Sequence, residues 1–348
     1  MVAIKSFLRQ VDIFGTKIKF SIDKEETAKT LIGGIATLTV IGSVISIFVI
    51  MSLDILQKNK PLVTVEDSIQ QLHPNITLTN TTLPISVIVQ DDDNNNYNIP
   101  EIFSIKAKIG TIIIGNNTTF STQEYLNLVL CNLSHFPLLR NDSFYSLGIN
   151  HYYCLENQNV SIGGYWDSSY TKYLRVSVKP CRNSSESKVI CAQESEIKEY
   201  FQNTNLYFSL YYQNTILNTQ QYSNPSSPYI TTNDKIIQYG ASKLFQMFFR
   251  TDTLISDNGF LLETNETTNV TLFDISNHDI TNIAKNGYLV AFDFYSSNYK
   301  KIYRRSYLKI QAVLAQVGAI SNILIHIGSV ICYVFSKVRL NKHITEPI

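Results

Sequence analysis

Two long stretches of this 348-residue chain contain no Asp, Glu, Lys or Arg: Thr30 to Leu53, 24 residues, and Ile310 to Ser336, 27 residues. That absence argues against an ordinary amphipathic core helix, which needs a polar face at 3.6-residue spacing, most directly for the first run, which has no charged residue on any face, and each stretch is long enough to cross a bilayer as a helix. Catalytic signatures are missing too. There is no G-x-S-x-G, no H-E-x-x-H, no Walker loop and no paired-carboxylate signature, and six histidines are scattered without ligand spacing. No C-x-x-C occurs, and His135 and His151 lack a matching ligand pattern, which argues against zinc. The run Asp91-Asp-Asp-Asn-Asn-Asn lacks the Gly and terminal Glu of an EF-hand loop and reads as a solvated turn rather than a calcium site. No repeat of fixed period and no long linker divides the chain. The expectation is a protein that is not an enzyme, with no cofactor, no metal and no nucleic-acid partner.

What is present organises itself around the two uncharged runs. The first begins 29 residues in and is about twice the length of a signal peptide's apolar region, so it reads as an uncleaved signal anchor. The division expected is a cytosolic tail over 1–29, a transmembrane helix over 30–53, a lumenal or extracellular domain over 54–309, a second transmembrane helix over 310–336 and a cytosolic tail over 337–348. Basic residues alone do not set this orientation. Lys5, Arg9, Lys17, Lys19, Lys24 and Lys29 precede the first run and Lys337, Arg339 and Lys342 follow the second, but Lys300, Lys301, Arg304, Arg305 and Lys309 crowd the central side. Of these, Arg304, Arg305 and Lys309 are placed either against anionic headgroups or on a solvated rim.

Two other features favour a secretory-pathway location for the central segment. N-glycosylation sequons occur at Asn75, Asn80, Asn116, Asn117, Asn132, Asn141, Asn159, Asn183, Asn265 and Asn269, all between the spans. Four of five cysteines, Cys131, Cys154, Cys181 and Cys191, fall within 61 residues, an even set that reads as two disulfides. Three pairings are open; short closures favour Cys131 with Cys154 and Cys181 with Cys191, each contributing about 3 kcal/mol. Cys332 lies within the second span and reads as a reduced, packed thiol.

The central segment is β-rich. Leu174, Val176 and Val178 alternate with Arg175, Ser177 and Lys179, and further strand candidates run over 85–89, 103–114, 206–212 and 288–295. Asn, Asp, Gly and Pro clusters separate them, among them Ser256-Asp-Asn-Gly259, while Glu194 to Phe201 reads as a short helix. The fold class expected is a membrane protein with two transmembrane helices flanking a large, disulfide-bonded β-rich domain, a β-sandwich by first choice. Strand candidates over 62–65 and 301–308 adjoin the spans and are placed to pair with each other.

The second span carries a polar and small stripe: Gln311, Ala315, Gly318, Asn322, His326 and Ser329 recur three or four apart. Polar groups in hydrocarbon face protein or water. Packing against another helix is favoured over a pore, because neither span has a fixed charge to select ions. Gly33, Gly34, Thr37, Gly42 and Ser43 of the first span offer a receiving surface, within one chain or between chains.

The segment Val11-Asp-Ile-Phe-Gly15, followed by Thr30-Leu-Ile-Gly-Gly34, resembles the amino-terminal signature of the ERGIC/Erv-type cargo receptors, an Asp-x-Phe and then a Thr-x-x-Gly-Gly at the start of the first span. Tyr307 to Ala319 is similar to the start of their second span, with Ala319 in place of a second Gly. The chain also resembles a family of two-span membrane proteins expanded in ciliate protists, through Tyr153-Cys-Leu155 and Gly163-Gly-Tyr-Trp166. These resemblances imply a binding or receptor-type glycoprotein, as a cargo receptor or surface receptor is, taking an unidentified protein or glycan. The partners expected are membrane lipid, that ligand, and a homo- or hetero-oligomer formed through the transmembrane helices. The alternative is a subunit of a two-span ligand-gated cation channel, similar in layout to the ATP-gated receptors or the degenerins, with Asn322, His326, Gly328 and Ser329 toward the pore.

Overall fold

The computed structural model describes residues 6–7, 10–13, 16–22, 25–28, 30–70, 75–115, 118–157, 159–164, 168–183, 189–282 and 287–345. In chain order the elements are β1 (Thr16–Ile22), β2 (Glu25–Ala28), α1 (Leu31–Leu56), β3 (Leu62–Ile69), β4 (Asn75–Leu78), β5 (Ile85–Asp91), β6 (Asn96–Tyr97), β7 (Phe103–Ile114), β8 (Thr119–Leu126), β9 (Leu128–Leu130) and α2 (Asn141–Ser146). They continue with β10 (Tyr153–Leu155), β11 (Val160–Gly164), β12 (Tyr170–Pro180), α3 (Glu194–Asn203), β13 (Leu206–Leu217), β14 (Ser226–Ile236), β15 (Ala241–Asp257), β16 (Asn265–Asn282), β17 (Val290–Ser296), β18 (Tyr299–Ser306) and α4 (Ile310–Thr345). The chain divides into two compact units, one of residues 1–62, 256–266 and 305–348, the other of 63–255 and 267–304.

The first unit is built on α1 and α4. Thr30 caps α1, its hydroxyl accepting from the Gly33 amide at 2.9 Å, and in this helix of 26 residues no charge occurs before Asp54 in the last turn. At about 1.5 Å per residue the helix exceeds the ~30 Å hydrocarbon thickness of a bilayer. Ile55 packs on Val313 and Val317 of α4, with Val44, Ile47 and Met51 beside them, so the end of α1 meets the start of α4.

The second unit is a two-sheet β domain. Six strands form one sheet in the order β14-β13-β5-β10-β9, with β6 beside β5. Ten form the other, in the order β3-β18-β15-β17-β12-β11-β4, with β16 beside β15, and β7 paired to β12 and β8. The expected neighbours β3 and β18 are adjacent. Only β15 with β17 is parallel among the strand pairs whose register is described.

Strand alternation explains the core. Val87 and Val89 of β5 and Leu206, Phe208 and Leu210 of β13 meet Leu174, Val176 and Val178 of β12 and Phe292 and Phe294 of β17 in one buried cluster. Phe208 and Phe292 lie 5.4 Å apart, centroid to centroid. The other face of β5 is not open: Ile88 packs on a second cluster of Phe136, Phe144, Ile149, Tyr152 and the Cys131–Cys154 disulfide. A strand covered on both sides has no solvent face, and Ile85–Gln90 is buried at every position, Ser86 included. The helix expected after Cys191 is α3, which drives Ile197 and Phe201, one turn apart, into the main core.

Candidate functional site

The polar stripe of the second apolar helix does not face the first. Among the residues of α4 whose burial is described, Val313, Val317, Gly328, Cys332 and Ser336 are buried, whereas Gln311, Ala315, Gly318, Asn322 and His326 are exposed and Ser329 is half-buried. At about 100° per residue, Asn322 lies ~180° round the helix from Val313. The receiving surface expected on the first span within one chain is therefore not used; Gly33, Gly34 and Thr37 are buried near the start of α1 by other means. Two members of the stripe have local partners: Ser329 Oγ donates to the His326 carbonyl at 2.8 Å and Gln311 Nε2 to the Leu261 carbonyl at 2.7 Å.

The segment ahead of α1 is what covers Gly33. Asp12 is 7 % exposed, its Oδ2 accepts the Thr30 amide at 2.8 Å, and the Ile13 amide donates to Thr37 Oγ1 at 3.3 Å. A Cβ on Gly33 would fall 2.3 Å from Asp12 Oδ2, so only glycine leaves room for the carboxylate at the helix N-terminus. Asp12, Thr30 and Gly33 thus form one cap, with the anion where the helix dipole favours it. Phe14 and Gly15 lie outside the described residues.

Basic residues at the start of α4 are spoken for. Arg305 is 3 % exposed and its Nε and Nη2 donate to Ser256 Oγ at 3.0 and 2.8 Å, while Lys309 pairs with Asp257 at 2.7 Å. Asp257 is held below the usual carboxylate range: burial opposes this, but Lys309 and the amides of Thr264 and Gly259 outweigh it. Neither Arg305 nor Lys309 is a free headgroup contact, which corrects the sequence-based expectation. Arg304 remains exposed, with Glu66 3.9 Å away.

In the β domain, two clefts flank the Cys181–Cys191 disulfide. One, of about 390 Å³, is lined by Asn98, Lys106, Tyr153 and Arg182 among others; the second, of about 540 Å³, by Asn183, Gln193, Glu194 and Tyr239. Their size is that of small-ligand sites. Sequence reasoning placed none of these residues in a binding cleft, reading Asn183 as a sequon, Tyr153 as part of a family resemblance and Glu194 as the start of a helix; the available signal was their position beside a cysteine pair. The acidic turn after β5 is organised around Asp91, whose carboxylate accepts from the amides of Asp93 and Asn95, from Asn95 Nδ2 and, at 2.7 Å, from Tyr97 Oη. Those bonds, the Asn95 side chain first, pull its pKa down to about 2. Among the described residues no group of three or more His, Cys, Asp or Glu is placed to hold a metal.

Of the sequon asparagines, Asn75, Asn132, Asn141, Asn159, Asn183, Asn265 and Asn269 are exposed. Asn80 is half-buried and donates to the Ser134 carbonyl at 3.0 Å. Asn116 and Asn117 lie outside the described residues. Cys332 is a buried free thiol.

Two long apolar helices packed together, flanking a β-rich two-sheet domain with two disulfides, define a two-span membrane architecture. Within it, the chain belongs to the family described as the uncharacterised 80 kDa protein N-terminal domain, whose family model matches residues 85–297. No curated protein matches the chain. Among solved structures it is similar to a proton-activated chloride channel, with 90 % of this chain and 98 % of that chain covered at 9 % identity and a TM-score of 0.29. It is also similar to Erv41p, with 69 % and 99 % covered at 10 % identity and a TM-score of 0.20. Scores this low set no residue of this chain against a residue of either protein.

Proposed function

We propose that this protein is a non-enzymatic integral membrane glycoprotein of receptor type, whose β domain lies on the lumenal or extracellular side and binds a protein or glycan, with both termini cytosolic. The observation that carries this reading is the pair of clefts beside the Cys181–Cys191 disulfide, lined by hydrogen-bonding and aromatic groups such as Asn98, Tyr153, Arg182 and Tyr239. Such groups recognise a sugar or a peptide backbone without doing chemistry on it. The cap formed by Asp12, Thr30 and Gly33 adds support, because these are the residues through which the amino terminus resembles the ERGIC/Erv-type cargo receptors. The test is binding of the detergent-solubilised full chain to glycan and peptide arrays. One probe class is expected to bind, weakened about tenfold or more by Arg182→Ala or Tyr239→Ala. Binding indifferent to both substitutions, or no binding on either array, would remove the basis for this reading.

A second reading, a subunit of a two-span channel, is favoured by one specific observation: Asn322 and His326 are exposed on the side of α4 opposite α1. Uncovered polar groups at membrane depth call for other helices or water. Planar-bilayer recording decides it. A current abolished by Asn322→Leu supports conduction along this face, and silence of the reconstituted protein in the presence of every array ligand that binds would count against it.

A further inference from the structure

The turn between β15 and β16 is short, tightly built and apolar at its tip. Asp257 Oδ1 accepts the amides of Gly259 and Thr264 at 3.1 and 2.9 Å, the Asn258 amide donates to the Thr264 carbonyl at 2.7 Å, and a Cβ on Gly259 would fall 1.7 Å from the Leu262 carbonyl oxygen. The close approach demands glycine there. What this scaffold presents is Phe260, Leu261 and Leu262, which are 44 %, 58 % and 76 % exposed. Three consecutive exposed apolar residues on a braced turn are a costly surface to leave in water.

The tip is fixed to the first turn of α4. The Ile310 amide donates to the Phe260 carbonyl at 3.1 Å and Gln311 Nε2 to the Leu261 carbonyl at 2.7 Å. Lys58, just past α1, donates to the Asn258 carbonyl at 3.1 Å, and its ammonium lies 5.6 Å from the Phe260 ring and 5.7 Å from that of Tyr307. The backbone of the tip is therefore level with residues 310 and 311, where the uncharged run of α4 begins.

We infer that Phe260, Leu261 and Leu262 form an interfacial wedge that inserts into the lipid leaflet beside the start of α4. Lipid is the occupant because the wedge is continuous with the apolar surface of a helix that itself faces lipid, and because Lys58 and the Tyr307 ring flank it as lysines and aromatic rings flank membrane interfaces. Gln311, which the sequence places in the polar stripe, serves here to lock the wedge to the helix. The inference rests on α1 and α4 crossing a bilayer.

The test uses the full chain with Trp166→Phe, which removes the chain's one tryptophan, and Leu262→Trp, reconstituted into phosphatidylcholine vesicles. Phe260→Trp serves as a second reporter should the first fail to fold. Lipids brominated near the glycerol end of the chain are expected to quench at least about twofold more than lipids brominated at the chain terminus, the pattern of a group ~5–10 Å below the headgroup boundary. Membrane-integrated protein whose tryptophan ignores all brominated lipids would overturn the wedge, as would disulfide cross-linking of Leu262→Cys between copies, which would make a second copy the occupant. Protein released from vesicles by alkaline carbonate would instead overturn the membrane-spanning reading, and the wedge with it.

Discussion

Arg175 of β12 grips Asp293 of β17 across the sheet with two hydrogen bonds, Nε to Oδ1 at 2.6 Å and Nη2 to Oδ2 at 2.5 Å, 118 residues apart in sequence. Asp293 is fully buried, and the guanidinium lies 5.4 and 5.2 Å from the rings of Tyr173 and Tyr288. Burial works against the charge on Arg175, but the bonds and charge of Asp293 outweigh it and raise its pKa above the ordinary value. Asp293→Leu strands the cation and is expected to cost about 3–5 kcal/mol, whereas Arg175→Met with Asp293→Leu recovers most of that loss. Denaturant unfolding of the two variants against the parent measures it. Equal destabilisation of the single and double variants would show that the pair's coupling contributes little.

Lys108 sits opposite Arg175 on β7, with its Nζ donating to Gln123 Oε1 at 2.8 Å. Burial, then the like charges of Arg175 and Lys179, push its pKa down to about 8 from 10.5. Between those values the native state releases a proton that the unfolded chain retains, so this group makes stability rise as pH increases from about 8 toward 10.5. Lys108→Met is expected to flatten that rise and to stabilise the protein at pH 7 by on the order of 1 kcal/mol. Melting curves of both proteins at pH 7 and between 8 and 10 read the difference. A Lys108→Met variant with an unchanged pH slope would refute the burial argument.

Gly33→Ala forces a methyl group onto Asp12 and is expected to undock the segment ahead of α1. Asp12→Ala removes the acceptor of the Thr30 amide and is expected to cost about 0.5–2 kcal/mol of cap stability. Limited proteolysis between residues 13 and 30 in both variants is the measurement, with faster cleavage than in the parent expected in each. Unchanged cleavage in both would show that this contact does not hold the segment in place.

What the sequence made legible was local. Asp12, Thr30 and Gly33 are brought together in the sequence by a family resemblance alone; that they form one helix cap is visible only in the structure. The cysteine closures, 23 and 10 residues apart, are short for the same reason that they are readable. Amphipathic period collected Asn322, His326 and Ser329 onto one face, but a period cannot say what lies opposite; that depended on Val313 and Val317 taking α1. Arg175 met Asp293 only through strand order. Ser256 to Gly259 was readable as a turn, yet the burial of Arg305 against Ser256 and the apolar tip beyond Gly259 arise from pairing across about fifty residues.

Removing Cys131–Cys154 with paired serines is expected to cost about 3 kcal/mol. The loss is local, because this bridge belongs to the cluster of Phe136, Phe144, Ile149 and Tyr152 behind β5 rather than to the main core. Hydrogen exchange should show residues 131–154 losing protection while β12 and β17 keep theirs. Uniform loss across both sheets would mean that the two clusters unfold together.

The orientation of α4 yields the sharpest prediction. Asn322 lies on the side of the helix away from α1, and Val317 lies against α1. If the polar face is covered by the same face of other copies, Asn322→Cys in a Cys332→Ala background cross-links between chains in membranes, while Val317→Cys does not. Asn322→Leu then weakens association by about 0.6–2 kcal/mol per contact, because an Asn in hydrocarbon without a partner loses its bonds. Non-reducing electrophoresis after mild oxidation separates the outcomes. Cross-linking through Val317 and not Asn322 would reverse the assignment, placing the apolar face between copies and the polar face toward lipid, where its cost has no compensation.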